Sequence, residues 1–392
     1  MMLSARPTER FTNRNEIRLV KSGHDYFDLL EQLVTQARQY IHLQTYIFTG
    51  DETGNRIAKA LILAAQRNVQ VYLVLDGYAS QDLSNEFLNK LIEAGVHFRW
   101  FGAFLKNKYF YLGRRLHHKV LVVDGEHGLV GGINISDHYN NTAQATAWLD
   151  YAVHVRGEAV MELQTICERR AVLSGGFFKR KKVSFPVGDR NWPSANSLVG
   201  VRVNDWVRQK KEITNSYIQM LQRAESHVII MSPYFIPGSR FMRALIRAAS
   251  RGVRIQLILA GISDVRLSKN AERYIYKRLF MKNIKIYEYQ KKIMHGKIST
   301  CDNEWVTVGS YNINNISAYA SIELNLEIRN ARFVEEVSKD LIEVIENDCK
   351  LITEADYESR TSFFRKIQQR GAYDIFRLLF FLFTFYFRQH KE

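Results

Sequence analysis

Apolar and polar positions along the chain follow two periods that take turns. Ile17–Val20 reads as a short strand, and from Tyr26 to Arg38 apolar residues return at helical spacing, with Phe27, Leu30, Val34 and Ala37 on one side. An extended run from Tyr40 to Phe48 follows, closed by the turn residues Gly50, Asp51 and Gly54. A helix near Ile57–Arg67, a strand over Val69–Leu75, a helix near Asp82–Ala94 and a strand over Val96–Trp100 continue the series. Strand alternating with helix predicts an α/β fold in which helices flank a mixed sheet.

The series then recurs. Leu63–Gly77 aligns with Arg247–Gly261, and Tyr46-Ile47-Phe48 is answered by Tyr234-Phe235-Ile236. Such self-similarity predicts an internal duplication. The expected layout is a first half-domain over 1–170, a linker over 171–196 where periodicity breaks down, a second half-domain over 197–358 and a distinct tail over 359–392.

Each half carries the same polar pattern. In the first, His117 and Lys119 precede Asp124, and six residues further on come Gly131, Gly132 and Asn134. In the second, His295, Lys297 and Asp302 are followed at the same spacing by Gly309, Ser310 and Asn312. Both copies run into apolar, β-branched sequence, so each is expected on a buried strand where His and Lys, two apart, face the same way. His118 then faces oppositely and is expected to pack beside the site, where the other copy has Gly296.

The doubled pattern resembles the signature of the phospholipase D superfamily, and over most of the chain the likeness is greatest to its bacterial cardiolipin synthase branch. The resemblance implies two half-domains related by a pseudo-twofold axis, with one active site at their interface. It also implies that an acidic residue downstream of each motif bonds a catalytic histidine, and Asp150 and Glu323 are the candidates. By the same resemblance His117 is the nucleophile that forms a phosphohistidine and His295 the general acid.

The chemistry agrees with these residue types. A neutral imidazole can attack phosphorus while a protonated one supplies the leaving oxygen. Lys119 and Lys297 are expected to hold the phosphoryl oxygens, with Asn134 and Asn312 fixing the lysines or donating further hydrogen bonds. Asp124 and Asp302 complete the motifs and are expected to bond backbone at the strand ends. His-x-Lys is not metal-ligand spacing, so neither a metal nor a cofactor is expected.

Composition narrows the partners. The 392 residues carry a formal charge of +15, which calls for an anionic partner: an acidic membrane or a nucleic acid. Three scattered cysteines, Cys167, Cys301 and Cys349, form no disulfide or zinc pattern and suit a reducing compartment. Met1–Pro7 leads into polar sequence without a signal-type apolar core. The run Ile375–Phe387, framed by Arg365, Lys366, Arg370, Arg377, Arg388 and Lys391, is too short to span a bilayer and is expected to lie in an anionic interface. The basic, aromatic stretch Phe104–Arg115 is expected to border the cleft, and the basic linker run with Phe177, Phe178 and Phe185 is a second place where headgroups can be met.

These expectations converge on a phosphatidyltransferase that makes cardiolipin, with phosphatidylglycerol as substrate, working as a monomer. It is expected on the cytoplasmic side of a bacterial inner membrane as a peripheral protein, with no nucleic-acid partner. The alternatives are hydrolysis to phosphatidic acid, a nuclease of the same superfamily, and a lipid-binding module without catalysis. The apolar tail argues against the nuclease, and two complete motifs argue against the module.

Overall fold

The computed structural model describes residues 10–102, 114–172, 194–314 and 321–389. The stretches 103–113 and 173–193, which hold most of the expected cleft loop and of the linker, lie outside them.

Among the described residues two sheets form, and each half of the chain supplies one. The first contains β1 (Asn15–Lys21), β2 (Tyr40–Thr45), β3 (Gln70–Asp76), β4 (His97–Phe101), β6 (Lys119–Val123), β7 (His127–Gly131) and β8 (Tyr151–Gly157), in the order β1-β8-β7-β6-β2-β3-β4. The second is built on β9 (Leu198–Asp205), β11 (His227–Ser232), β12 (Arg254–Ala260), β13 (Lys285–Tyr289), β14 (Ile298–Cys301), β15 (Trp305–Gly309) and β16 (Ser321–Arg329). Its order is β9-β16-β15-β14-β11-β12-β13, extended by β10 (Lys210–Lys211) and β17 (Cys349–Ile352) at its edges. Strand for strand the two orders correspond, and so do the directions: β2, β3 and β4 are parallel, as are β11, β12 and β13, while the remaining shared pairs are antiparallel. The duplication read from sequence is thus a duplicated sheet.

Alternation along the strands decides where each face goes. Leu121, Val123 and Leu129 join Ile41, Leu43, Val71 and Leu73 beneath the helices His24–Gln36 and Glu52–Gln66, forming a core of the first half alone. Val120, Val122 and Val130 point the other way, into a core shared with the second sheet and with the helices Ala159–Val172 and Ala331–Asp348. Ile230, Leu257 and Ile286 anchor a third core within the second half. The shared core binds the halves face to face, and burial of its aliphatic side chains contributes roughly 1.5–3 kcal/mol for each one fully buried.

One short strand crosses over. β5 (Arg115–Leu116), from the first half, adds in parallel to β16 of the second. Reciprocally, Leu149 of the first half forms a parallel bridge with Met294 of the second. Each crossing occurs one or two residues before a motif histidine, so the exchange itself brings the motifs together.

The tail is one long helix, Phe363–Gln389. Its buried side places Ala372, with Tyr373 and Phe376, against Ile236 and Ala271, and Gln369 accepts a 2.7 Å hydrogen bond from the Tyr357 hydroxyl. Part of it therefore covers the fold while Phe363, Phe364, Ile367, Ile375 and Leu378 face outward. Among the described residues no helix is long and apolar enough to cross a membrane.

Candidate active site

The motif histidines stand just ahead of their strands, because regular pairing starts only at Lys119 in β6 and at Ile298 in β14. Their backbone is held by the opposite half instead. The His117 N–H donates to Ile322 O at 3.0 Å, and the His295 N–H donates to Leu149 O at 2.8 Å. Ile322 and Leu149 each precede an acidic residue, and those acids reach the same two rings. His117 Nδ1 lies 2.8 Å from Glu323, and His295 Nδ1 lies 2.6 Å from Asp150. Each histidine is therefore oriented by a carboxylate from the other half, with the remaining ring nitrogen, Nε2, turned from that carboxylate.

The two environments are not equivalent. Glu323 also accepts from Ser310 Oγ and, at 2.8 Å, from Ser321 Oγ. Burial alone would raise its carboxyl, but His117, Lys119 and Ser310 outweigh that and hold it below the ordinary range. At the position matching Ser310 the first half has Gly132, and a Cβ there would stand only 2.4 Å from Asp150 Oδ1. Among the described residues no hydroxyl donates to the Asp150 carboxyl, and its one backbone donor is the Tyr151 N–H at 2.7 Å. Burial pushes its carboxyl up to about 7.

Both lysines are buried. Lys119 Nζ donates to His117 O at 2.6 Å, and Lys297 Nζ reaches both His295 O and, at 2.8 Å, His295 Nδ1. Burial and mutual repulsion lower Lys119 to about 7, and burial lowers Lys297 to about 8. Burial likewise lowers both imidazoles, aided by the two ammonium groups, and His295 is depressed well below the ordinary histidine range. The field of Lys297 reaches His117 and that of Lys119 reaches His295, so the four groups form one site. Two buried cations beside two imidazoles are suited to a phosphodiester.

The asparagines do not fix the lysines. Asn134 Oδ1 accepts from Ile47 N at 3.1 Å and its Nδ2 donates to the Tyr139 hydroxyl at 2.9 Å, while the buried Asn312 Oδ1 has no hydrogen-bond partner among the described residues. The lysine ammonium groups are engaged by the carbonyls of their own histidines, which leaves the asparagines to other work. Asp124 and Asp302 sit at the far strand ends with φ of 52° and 49°. The Asp124 carboxylate accepts the N–H groups of Arg38, Gln39 and Tyr40, and that of Asp302 accepts those of Glu225, Ser226 and His227. They tie strand ends to the preceding helices and stand roughly 15 Å along the strand from the lysines.

His118 is fully buried, 2.8 Å from Gln44, which in turn donates to Cys167 O. Burial lowers it to about 3, so it is a neutral packing residue. Gly296 replaces it because a Cβ there would meet Tyr151 of the first half at 3.0 Å and Met231 at 2.7 Å. Two residues beyond the motif pattern, and one within it, also line the site. The ring of Tyr46 lies edge-on to His117 at 4.7 Å with Lys119 Nζ 5.2 Å from its centroid, and the Tyr139 hydroxyl stands 3.3 Å from His295 Nδ1. Ser310 is the third, visible in sequence as the serine that replaces one glycine of the pattern. Tyr46 was signalled only by its repeat partner Tyr234, and nothing in the spacing marks Tyr139. Among the described residues no group of three or more His, Cys, Asp and Glu side chains converges as metal ligands would.

Paired imidazoles between two lysines, in the cleft of a duplicated mixed sheet, define a phosphodiester-transferring enzyme of the double-motif type. The chain belongs to the family described as "Cardiolipin synthase, PLD-like domain", whose profile matches residues 30–166 and 217–345. It is 35% identical over 353 residues to cardiolipin synthase B of Salmonella typhi, covering 88% of this chain and 84% of that one. To cardiolipin synthase B of Escherichia coli (strain K12) it is 33% identical with the same coverage, and to cardiolipin synthase 1 of Bacillus anthracis 29% over 386 residues, or 94% and 72% of the two chains. Among solved structures, a phosphatidylserine synthase from Haemophilus influenzae shares the fold, with a TM-score of 0.71 over 92% of this chain and 93% of that one at 14% identity.

Proposed function

We propose that the chain transfers a phosphatidyl group through a phosphohistidine to phosphatidylglycerol, forming cardiolipin. The observation that carries the mechanism is the unequal surroundings of the two Nδ1 atoms: Glu323 faces that of His117, whereas both Asp150 and Lys297 face that of His295. Glu323, held ionised, accepts from Nδ1–H of His117, which leaves the lone pair on Nε2 and makes that nitrogen the nucleophile. At His295, Nδ1 faces the Lys297 ammonium at 2.8 Å and Asp150, whose carboxyl at about 7 carries its proton below that pH, so a donor stands at Nδ1 and the ring proton resides on Nε2. That is the form an acid must have.

In the first step His117 Nε2 forms a bond to phosphorus as the bond to the leaving alkoxide breaks. The His295 Nε2 proton passes to the alkoxide, and the Asp150 proton moves onto Nδ1. Lys119 and Lys297 neutralise the equatorial oxygens as negative charge builds on them. In the second step the phosphatidylglycerol hydroxyl reverses these proton movements. Glycerol is released when both substrates are phosphatidylglycerol.

All six groups come from one chain, so a monomer suffices. The outward apolar row of the tail helix, with its cationic neighbours, supports peripheral attachment to an anionic leaflet, and the bacterial relatives together with the unpaired cysteines favour the cytoplasmic face of an inner membrane. Incubating the purified protein with phosphatidylglycerol vesicles, and separately with single-stranded DNA, tests the reading. Cardiolipin and free glycerol are expected, with DNA intact; phosphatidic acid alone would replace transfer by hydrolysis, and DNA cleavage over inert lipid would overturn both.

A further inference from the structure

The repeat makes the two walls of the cleft comparable, and the carboxylate near the tyrosine at the strand end is engaged differently in each. Tyr46 follows β2 and Tyr234 follows β11 at corresponding places. The carboxylate acting on Tyr46 is Asp76, which is buried, with its oxygens taken by the N–H groups of Tyr78, Ala79 and Leu116 and with Arg115 3.9 Å away. At Tyr234 the hydroxyl itself donates to a carboxylate, Asp264 Oδ1, at 2.6 Å. Asp264 sits in the turn after β12, where the parallel strands β11 and β12 end. In the register of β11 on β14, Met231 opposes Ile298, so the chain beyond Ser232 runs past Lys297 and His295. The field of Asp264 accordingly reaches His295, Lys297 and the Tyr139 hydroxyl.

This pair is reachable: Asp264 is exposed, and Tyr234, like His117, is half-buried. Among the described residues its Oδ2 has no donor. An outward carboxylate next to the acid histidine repels a second phosphate but accepts hydroxyl hydrogens, whereas Asp76 in the first half is buried and already bonded by backbone N–H groups.

We infer that Asp264, positioned by Tyr234, is the subsite that holds the polyol headgroup of the acceptor during the transfer step. This rests on the phosphatidyltransferase reading above. The bond from phosphorus to His117 Nε2 breaks as a bond to the attacking hydroxyl oxygen forms, the imidazole keeps the electron pair, and the hydroxyl proton passes to His295 Nε2. A neighbouring hydroxyl of the same headgroup donates to Asp264 Oδ2 and fixes which oxygen faces phosphorus.

The test is competition between alcohols. Phosphatidylglycerol vesicles are incubated with the full-length enzyme and equal concentrations of isotopically labelled glycerol and ethanol, and the labelled phosphatidyl products are quantified. Ethanol has the attacking hydroxyl and no second one. The wild type is expected to favour glycerol, Asp264→Asn to lose that preference by about tenfold, and Tyr234→Phe by about threefold in the same direction, as for loss of a charge-assisted hydrogen bond and of its positioning partner. Asp264→Glu is expected to restore part of the preference. An unchanged preference in both variants, or a parallel loss for both alcohols that leaves the ratio fixed, would overturn the subsite. Absence of any phosphatidyl product or phosphatidic acid from the wild type would instead overturn the transferase reading, and the subsite with it.

Discussion

Glu323 Oε2 lies 2.8 Å from Nδ1 of His117, a residue 206 positions earlier, while Asp150 makes the mirrored contact with His295 across 145 positions. The carboxylates look interchangeable in sequence, yet Ser310 and Ser321 donate to one and Gly132 packs against the other. Removing charge should therefore have unequal consequences. Glu323→Gln takes away the acceptor that fixes the His117 tautomer and is expected to lower kcat/KM for cardiolipin formation on the order of 10³-fold. Asp150→Asn keeps an N–H able to donate to His295 Nδ1 but cannot pass a proton to it, and its loss is expected to be smaller than that of Glu323→Gln, on the order of 10²-fold. Steady-state rates on phosphatidylglycerol vesicles decide it; a larger loss for Asp150→Asn would reverse the assignment of nucleophile and acid.

The same asymmetry sets the pH dependence. The working forms are protonated Asp150, with its carboxyl at about 7, and charged Lys119, also at about 7. Both groups are competent below that value and lose their proton above it, so kcat/KM should fall as pH rises through about 7 to 8. His117 is depressed by burial, which keeps it neutral and nucleophilic to lower pH than an ordinary imidazole. Asp150→Asn removes one of the two ionisations, and the alkaline limb should become shallower. A limb of unchanged steepness in that variant would remove Asp150 from the proton pathway.

Splitting the two histidine roles requires a substrate that does not need an acid. A phosphodiester with a nitrophenolate leaving group departs without protonation, so His295→Ala should retain most of the wild-type rate of nitrophenolate release in the first turnover while losing about 10²-fold or more on phosphatidylglycerol. His117→Ala should be inactive on both. In the His295 variant the covalent adduct, no longer relieved by base-assisted attack of the acceptor, should accumulate on His117, where acid-quenched peptide mapping would locate it. Label on any other residue contradicts the proposed order.

Much of this arrangement was legible before any coordinates, and the reasons are local. The duplicated strand pattern and the two motifs depend on residue type and spacing, so the paired sheets and the meeting of His117, Lys119, His295 and Lys297 could be read directly. Asp150 and Glu323 could be named as partners of the histidines, but not the crossing, because which half an acid serves is decided by the exchange of β5 and Leu149 between sheets. The alternation argument placed His117 on a strand, whereas pairing begins at Lys119, since the histidine backbone is bound by the other half. Tyr139 was invisible: it reaches His295 through a 3₁₀ turn at Asp137–Tyr139, and no spacing rule marks it. The asparagines were expected to fix the lysines or to donate further hydrogen bonds, and the second describes Asn134, whose Nδ2 donates to the Tyr139 hydroxyl.

The motif aspartates give a prediction about stability. Asp302 has φ of 49° and collects three backbone N–H groups together with Ser226 Oγ, and those hydrogen bonds outweigh burial and hold its carboxyl far below the ordinary range. A depressed carboxyl contributes stability that is present above its unfolded value near 4 and is lost as pH falls below it. Asp302→Ala should lower unfolding stability by about 1–2 kcal/mol, the modest size reflecting a partly solvated carboxylate. Its kcat/KM per folded molecule should stay within about threefold of wild type, and Asp124→Ala should behave alike. Thermal melts with active-site titration check both numbers. A folded, fully stable and inactive Asp302→Ala would move this residue into the chemistry.

The tail helix gives a prediction for the membrane attachment proposed above. Along Phe363–Gln389 the buried positions Gln369, Ala372, Tyr373 and Phe376 lie on one side, and at about 100° per residue Phe364, Ile367, Gly371, Ile375 and Leu378 fall within roughly a quarter turn on another. Phe364, at 76% exposure, and Leu378, at 56%, mark the two ends of this outward row, and Lys366, Arg370 and Arg377 run beside it, where their ammonium and guanidinium groups can meet lipid phosphates. Deleting residues 371–392 would also strip Ala372, Tyr373 and Phe376 from the fold, so point changes are the cleaner probe. Replacing Phe364, Ile367, Ile375 and Leu378 together by Ser removes apolar area from the outward row alone, and is expected to weaken binding to phosphatidylglycerol vesicles by at least about tenfold, even if each side chain inserts only partly. Cardiolipin formation on vesicles should fall in proportion, while turnover of a short-chain, water-soluble substrate should change less than about twofold. Undiminished sedimentation of the quadruple variant with anionic vesicles would mean that the membrane is met by a different surface.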